Sequence, residues 1–183
     1  MLDTAPLREA HRALLDAAAT VAGHGGASLV PPAGEWNADQ ILAHVSIVDA
    51  VTIAAASSIA AGASATYDNR MALDAWTIDR VIVRAGGNAG LRDRVRDQGE
   101  ALCALGPILS EAELDTPVPT LLLSKGMALV DQPVALRDLI TGLAEVELPG
   151  HTRQLLALLP DHDSEVTLVG TNGGHRGGEG SGH

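Results

Sequence analysis

The sequence predicts an all-α fold, a four-helix bundle with long crossover connections and a short extended segment before the last helix. Three observations predict it. Ala supplies 30 and Leu 25 of the 183 residues, and hydrophobic residues make up 46%, enough for one sizeable core built from closely approaching helices. The aromatics are Trp36, Tyr67 and Trp76 alone, with no Phe, against the aromatic and β-branched habit of strands. Apolar residues also recur at three- and four-residue steps in four long stretches, which is the period of an amphipathic helix.

The first helix is expected from Pro6 to Ala22, with Thr4 as its cap, Pro6 in its first turn and Gly23-His24-Gly25-Gly26 ending it. Leu7, His11, Leu14, Ala18 and Val21 share its apolar face. A crossing over Ala27–Trp36, with Pro31-Pro32, leads to a second helix from Asn37 or Ala38 that carries Ile41, His44, Val45, Val48 and Val51. The third helical region spans Met71 to Leu109, broken at Gly86-Gly87-Asn88 and limited by Pro107. Its second half sets Leu91, Val95, Gln98, Leu102, Leu105 and Leu109 in one stripe. Within the Pro-punctuated stretch Asp115–Val130, Val118–Leu123 reads as extended or as a short hairpin. The fourth helix begins near Pro133, carries Leu136, Leu139, Ile140, Leu143, Glu147, His151, Leu155 and Leu158, and stops at Pro160. Residues 1–160 thus form one domain. Residues 161–183 form a flexible tail, and seven of its last fourteen residues are glycine.

Composition excludes several functions. Acids outnumber bases 23 to 12 for a net charge of −11, the opposite of a nucleic-acid footprint, and the aromatic platforms of single-strand binders are missing. The lone Cys103 calls for no oxidising compartment. The N-terminus shows no cationic-then-apolar signal pattern. Val45–Ala63 has Asp49 as its only charge, yet its apolar content is largely Ala, Ser and Thr, and a buried bundle helix explains it better than a membrane span. A cytoplasmic protein is expected, with no nucleic-acid or membrane partner.

No phosphate-binding loop, dinucleotide fingerprint, G-x-S-x-G or H-E-x-x-H is present. What stands out is polar residues on faces that should be buried. Glu147 and His151 lie one turn apart on the inward seam of the fourth helix, the spacing needed to share one ion. A carboxylate there must be paired, protonated or metal-bound. His44 points inward on the second helix, in line with Val48 and Val51. Together the three make a His₂Glu set, the ligand count of a metal site with an open position. Spacing alone leaves a metal site and hydrogen-bonded core histidines both open. Pro149-Gly150, between Glu147 and His151, predicts a bend in the helix.

The run Glu35-Trp36-Asn37-Ala38-Asp39-Gln40-Ile41-Leu42-Ala43-His44 resembles the W-s-x-x-e-v-l-x-H-l block on the second helix of DinB-like proteins. Glu147-x-x-x-His151-x-x-Gln154-Leu155 resembles that family's later block, usually H-x-x-x-H-x-x-Q-I. Glu at its first position is similar to the branch containing mycothiol-dependent maleylpyruvate isomerase and related thiol-dependent enzymes. The resemblance spans residues 5–160. It implies a DinB-type four-helix bundle in which His44, Glu147 and His151 hold a divalent metal, zinc by expectation and nickel as the alternative.

The function expected from it is a metal-dependent enzyme, a thiol-dependent S-transferase or isomerase. Its partners would be a low-molecular-weight thiol and a small electrophile. The alternative is a non-catalytic, stress-related metal-binding bundle, and a homodimer is the expected oligomer. Trp76 and Arg80 are assigned to the cosubstrate pocket and Arg153 to its rim. His11 is read as a core histidine, Asp49 as lying too far round its helix from His44 to share an ion, and Cys103 as a small buried hydrophobe. His175 and His183 in the tail are lesser ligand candidates.

Overall fold

A computed structural model describes residues 1–25, 31, 33–124 and 126–160. The crossing expected at Ala27–Trp36 lies partly outside the described residues, and the tail 161–183, with His175 and His183, lies wholly outside them. The described chain is mostly helical and carries a small three-stranded sheet.

Helix α1 (Ala5–Gly23) buries the expected face, Leu7, His11, Leu14, Ala18 and Val21, with Ala10 and Ala17 beside it. Thr4 holds the N-cap position without capping. Its hydroxyl donates instead to the Cys103 carbonyl at 3.3 Å, tying the start of α1 to the end of another helix. Helix α2 (Ala38–Ala60) opens on a reciprocal capping box. The Gln40 N–H donates to Asn37 Oδ1 at 2.9 Å, and the Asn37 N–H donates to Gln40 Oε1 at 3.0 Å, satisfying two donors that a helix start leaves free. From Ile41 to Asp49 every residue of α2 is buried. A helix surrounded by protein needs no polar face, which is why α2 is apolar and long enough to cross a membrane while 61% of its most apolar window lies inside the protein.

The third helical region divides as its glycines dictate. A single turn, α3 (Arg70–Leu73), precedes α4 (Ala75–Ala85), and α5 follows (Asn88–Leu105). Between α4 and α5 the chain turns through Gly86 at φ +77° and Gly87 at φ +87°, left-handed values that suit glycine. Pro107 sits in a 3₁₀ turn, Gly106–Ile108, that ends α5. The buried stripe of α5 is Leu91, Val95, Gly99, Leu102 and Cys103. Gln98, expected on that stripe, is half-buried beside it. After the short α6 (Glu111–Leu114) come the strands.

The mostly helical class stands, with a small sheet added to it. The extended segment is a full hairpin, β2 (Pro117–Ser124) antiparallel to β3 (Met127–Ala135), and β1 (Tyr67–Asp68) adds to β2 in parallel. Pro133, expected to start the last helix, pairs across the hairpin with Pro119. Two donor-less residues facing each other suit a small sheet with an open edge at β3. The last helix starts at Leu136 as α7 (Leu136–Gly142), widens into a π-turn over Leu143–Glu147, and continues as α8 (Leu148–Leu156).

α1 packs against α5 and α8, and α2 against α5 and α8, so these four helices ring one core. Fully buried Leu14, Ile41, Leu42, Leu91, Leu148 and Leu155 fill it. The hairpin lies outside that ring, next to the π-turned helix, and this offset creates the space described next.

Candidate metal centre

His44 stands on α2, Glu147 is the last residue of the π-turn and His151 lies in α8. The expected bend at Pro149 is therefore a π-turn. The Leu148 N–H donates to the Leu143 carbonyl, five residues back rather than four. A wide turn in front of Pro149 spreads the carbonyls that its ring would strike and absorbs its missing N–H. Beyond it the helix is regular, and Glu147 and His151 keep their one-turn spacing.

The three side chains converge. Glu147 Oε1 lies 2.9 Å from His44 Nε2 and 3.3 Å from His151 Nε2. One ligand atom from each residue falls within 4.8 Å of the other two. Bonds of about 2.1 Å to a tetrahedral ion set ligand atoms ~3.4 Å apart, so small side-chain movements would close this set on one ion.

The other ring nitrogens decide what these atoms are. His44 Nδ1 donates to the Ala72 carbonyl on α3 at 2.8 Å, an acceptor that has no proton to give. His151 Nδ1 donates to Gln154 Oε1 at 2.9 Å, and the Gln154 amide reaches Glu35 Oε2 at 3.4 Å. With both Nδ1 protons committed, each Nε2 faces the same carboxylate oxygen and meets it either as a second N–H or as a lone pair. Three acceptors facing one another repel unless a cation sits among them, either a proton on each Nε2 or a metal ion. Outer partners that fix the tautomer of a ligating histidine are the usual support of a metal site.

Burial pushes the Glu147 carboxyl up, but the hydrogen bonds and charges of His151 and His44 outweigh it and hold it well below the usual carboxylate range. It is the anion of the set. Trp36 covers both imidazoles, its ring centroid 4.9 Å from that of His44 and 6.5 Å from that of His151, nearly parallel to the second.

The set opens on a cavity of about 790 Å³ between the helices and the hairpin. Val48, Leu139, Leu143 and Val146 line the helical side, and Leu122, Leu123, Leu129, Val130 and Val134 the hairpin side. Tyr67 also faces it. Thr52 gives its own proton to the Val48 carbonyl, so the Tyr67 hydroxyl donates to Thr52 Oγ1 at 3.0 Å. Burial pushes the phenol up to about 12, and the charges of Glu147 and Asp49 add to this against the Thr52 bond. Tyr67 is a neutral phenol at physiological pH.

Trp76 and Arg80 are not part of this pocket. Trp76 is 67% exposed on α4, whose buried residue is Ile78, and the Arg80 guanidinium lies over its ring at 5.2 Å. They form a cation–π pair on the solvent face. Arg153 also faces solvent. Cys103 is buried in the core, and burial raises its thiol. His11 and Asp49 form a separate pair. Both Asp49 carboxylate oxygens lie 3.2 Å from His11 Nε2, and His11 Nδ1 donates to the Leu7 carbonyl at 3.0 Å.

The roles of Gln154, Glu35 and Tyr67 do not follow from spacing. Gln154, three residues after His151 on the same face, carried the one available signal. Compared with protein-family models, with curated proteins and with solved structures, the chain finds no match.

Proposed function

We propose that the chain is a metal-dependent enzyme of DinB-like type, its four main helices forming that family's bundle and His44, Glu147 and His151 holding a divalent ion, zinc or alternatively nickel. One observation carries this reading. Two imidazoles with their Nδ1 protons fixed on other acceptors aim both Nε2 atoms at one carboxylate oxygen, on the wall of a small-molecule cavity. Three protein ligands leave a position free for a substrate atom.

The bound ion would lower the pKa of a thiol or water at that position. The protein's part is to hold and to exclude. Ala72 O and Gln154 orient the imidazoles, Trp36 packs over both rings, and the apolar walls keep bulk water from the reacting atoms. A thiol cosubstrate would form its S–C bond to a small electrophile seated in the cavity, whose acceptor atom or leaving group takes the displaced electron pair. This is the chemistry of an S-transferase, or of an isomerase when the thiol is later released.

A non-catalytic bundle would be favoured by Glu147 turned to solvent and away from His44. Glu147 instead bonds both histidines, which supports the enzyme. The test is elemental analysis of protein purified without a metal-affinity step, followed by screening for thiol adducts with metal-loaded and metal-free chain. One equivalent of zinc or nickel is expected, and it should be lost in His44→Ala and His151→Ala. Wild type without metal, or metal content unchanged in both variants, would overturn the reading.

A further inference from the structure

We propose that the cavity beside the His44–Glu147–His151 set selects a ligand with an apolar body and no negative charge, and that an acidic rim enforces the choice. This deepens the proposed function and rests on that reading for the reactive end of the ligand. At about 790 Å³ the cavity is of small-molecule size. Its walls are leucines and valines from two unrelated elements, so the body that fills it is apolar. The charged side chains among its described lining residues, histidines apart, are Glu35, Asp138 and Glu147, with no Arg or Lys. Glu35 and Asp138 are exposed at the mouth, while Glu147 lies at the histidines.

Away from the metal, an anionic ligand entering here gives up water and meets carboxylates, with no Arg or Lys among the described lining residues to pair with. A fixed charge ~8 Å away, at the water-like end of the dielectric range, disfavours a like charge by about 2.4-fold, so two rim carboxylates amount to roughly sixfold. Neutral and ammonium-bearing ligands escape this. The ligand class is thus a thiol or electrophile whose free end is uncharged or cationic. Carboxylated and phosphorylated molecules are discriminated against.

Three probes of one length test the rule: 6-mercaptohexan-1-ol, 6-aminohexane-1-thiol and 6-mercaptohexanoate. They are titrated into the full chain loaded with cobalt(II) and followed by the thiolate-to-metal absorption band. The neutral and cationic probes should bind at least about sixfold more tightly than the anionic one, and Asp138→Lys should narrow that gap about sixfold. Lys125, between Ser124 and Gly126, lies outside the described residues, and Lys125→Ala should leave the order unchanged. Mercaptohexanoate binding as tightly as the alcohol would overturn the inference, as would loss of its binding in Lys125→Ala. Absence of a cobalt spectrum would instead overturn the metal centre. The selectivity is then read from Trp36 fluorescence in metal-free Trp76→Phe protein, where hexylammonium should bind more tightly than hexanoate and the reverse order refutes it.

Discussion

Replacing Gln154 by Leu tests whether the centre depends on its outer hydrogen bonds. Gln154 touches no ion. Its oxygen accepts the His151 Nδ1–H at 2.9 Å, and its amide is anchored to Glu35 at the longer 3.4 Å. Leucine of similar volume leaves His151 Nδ1 without an acceptor and its ring free to turn or change tautomer. Loss of such a partner typically weakens metal binding 10- to 100-fold, about 1.4 to 2.7 kcal/mol. At free zinc a hundred times the wild-type Kd, metal stabilises the native wild-type chain by about 2.7 kcal/mol, and the variant by only about 0.4 to 1.4 kcal/mol. For a chain of this size about 1 kcal/mol moves Tm by ~2–4 °C. The zinc-dependent rise in Tm should therefore shrink by roughly 3–9 °C, while the metal-free Tm stays nearly constant. Competition against a chromophoric chelator measures the affinity directly, and Glu35→Gln, at the long end of the chain of bonds, should do less than Gln154→Leu. Equal zinc affinity in wild type and Gln154→Leu would refute a role for the Gln154 bond in setting His151.

Four further predictions concern the scaffold and the turn that carries Glu147. Asp49 is 0% exposed, so Asp49→Ala strands His11 in the core and should cost about 3–5 kcal/mol in urea unfolding, whereas Asp49→Asn, able to donate to His11 Nε2, should cost less than half of that. Burial lowers the His11 pKa, but the Asp49 bond and charge outweigh it and raise it above 6.5, while burial raises Asp49. The His11 contribution is complete below about pH 6.5 and fades as pH rises through its elevated value, while the raised Asp49 carboxyl loses stability from lower pH, as pH climbs above 3.8; the wild-type advantage over Asp49→Asn should shrink between pH 6 and 9. Gly99→Ala places a Cβ 2.8 Å from two His11 ring carbons, an overlap that should cost about 1–3 kcal/mol in the same assay. Pro149→Ala restores an N–H able to reach the Glu145 carbonyl; the π-turn should relax toward α geometry, raising metal-free Tm and weakening zinc binding, and both quantities unchanged would show that the proline does not hold the turn.

What was legible in the sequence follows from what periodicity measures. The α1 face and the α5 stripe are single helices against one core, and their buried residues recur at the expected steps. His44, Glu147 and His151 were legible for the same reason, as polar residues out of place on apolar seams. Strand β3 was not. Asp131-Gln132-Pro133 is exposed and does not alternate, so a proline ahead of Leu136 resembles a helix start. The π-turn was hidden because proline reports a missing bond but not how the backbone absorbs it. Trp76 and Arg80 misled through their i, i+4 spacing. That spacing brings them together on a helix face without saying which way the face points.

Two buried polar clusters hang from one apolar helix, five residues apart, and their differences separate structure from chemistry. At Asp49 the requirement is closed. Leu7 O accepts from one His11 nitrogen, Asp49 takes the other, Gly99 closes on the ring, and one shared proton satisfies the pair. Nothing there needs a further atom, and neither residue lines the cavity. At His44 the requirement stays open. One carboxylate oxygen meets two imidazoles, and they meet at the wall of a cavity rather than in the core. His44 repeats the first arrangement, a carbonyl on Nδ1 and a carboxylate at Nε2, but a second imidazole and an open cavity are added to it. The second leaves room for one cation and, beside it, for one ligand atom.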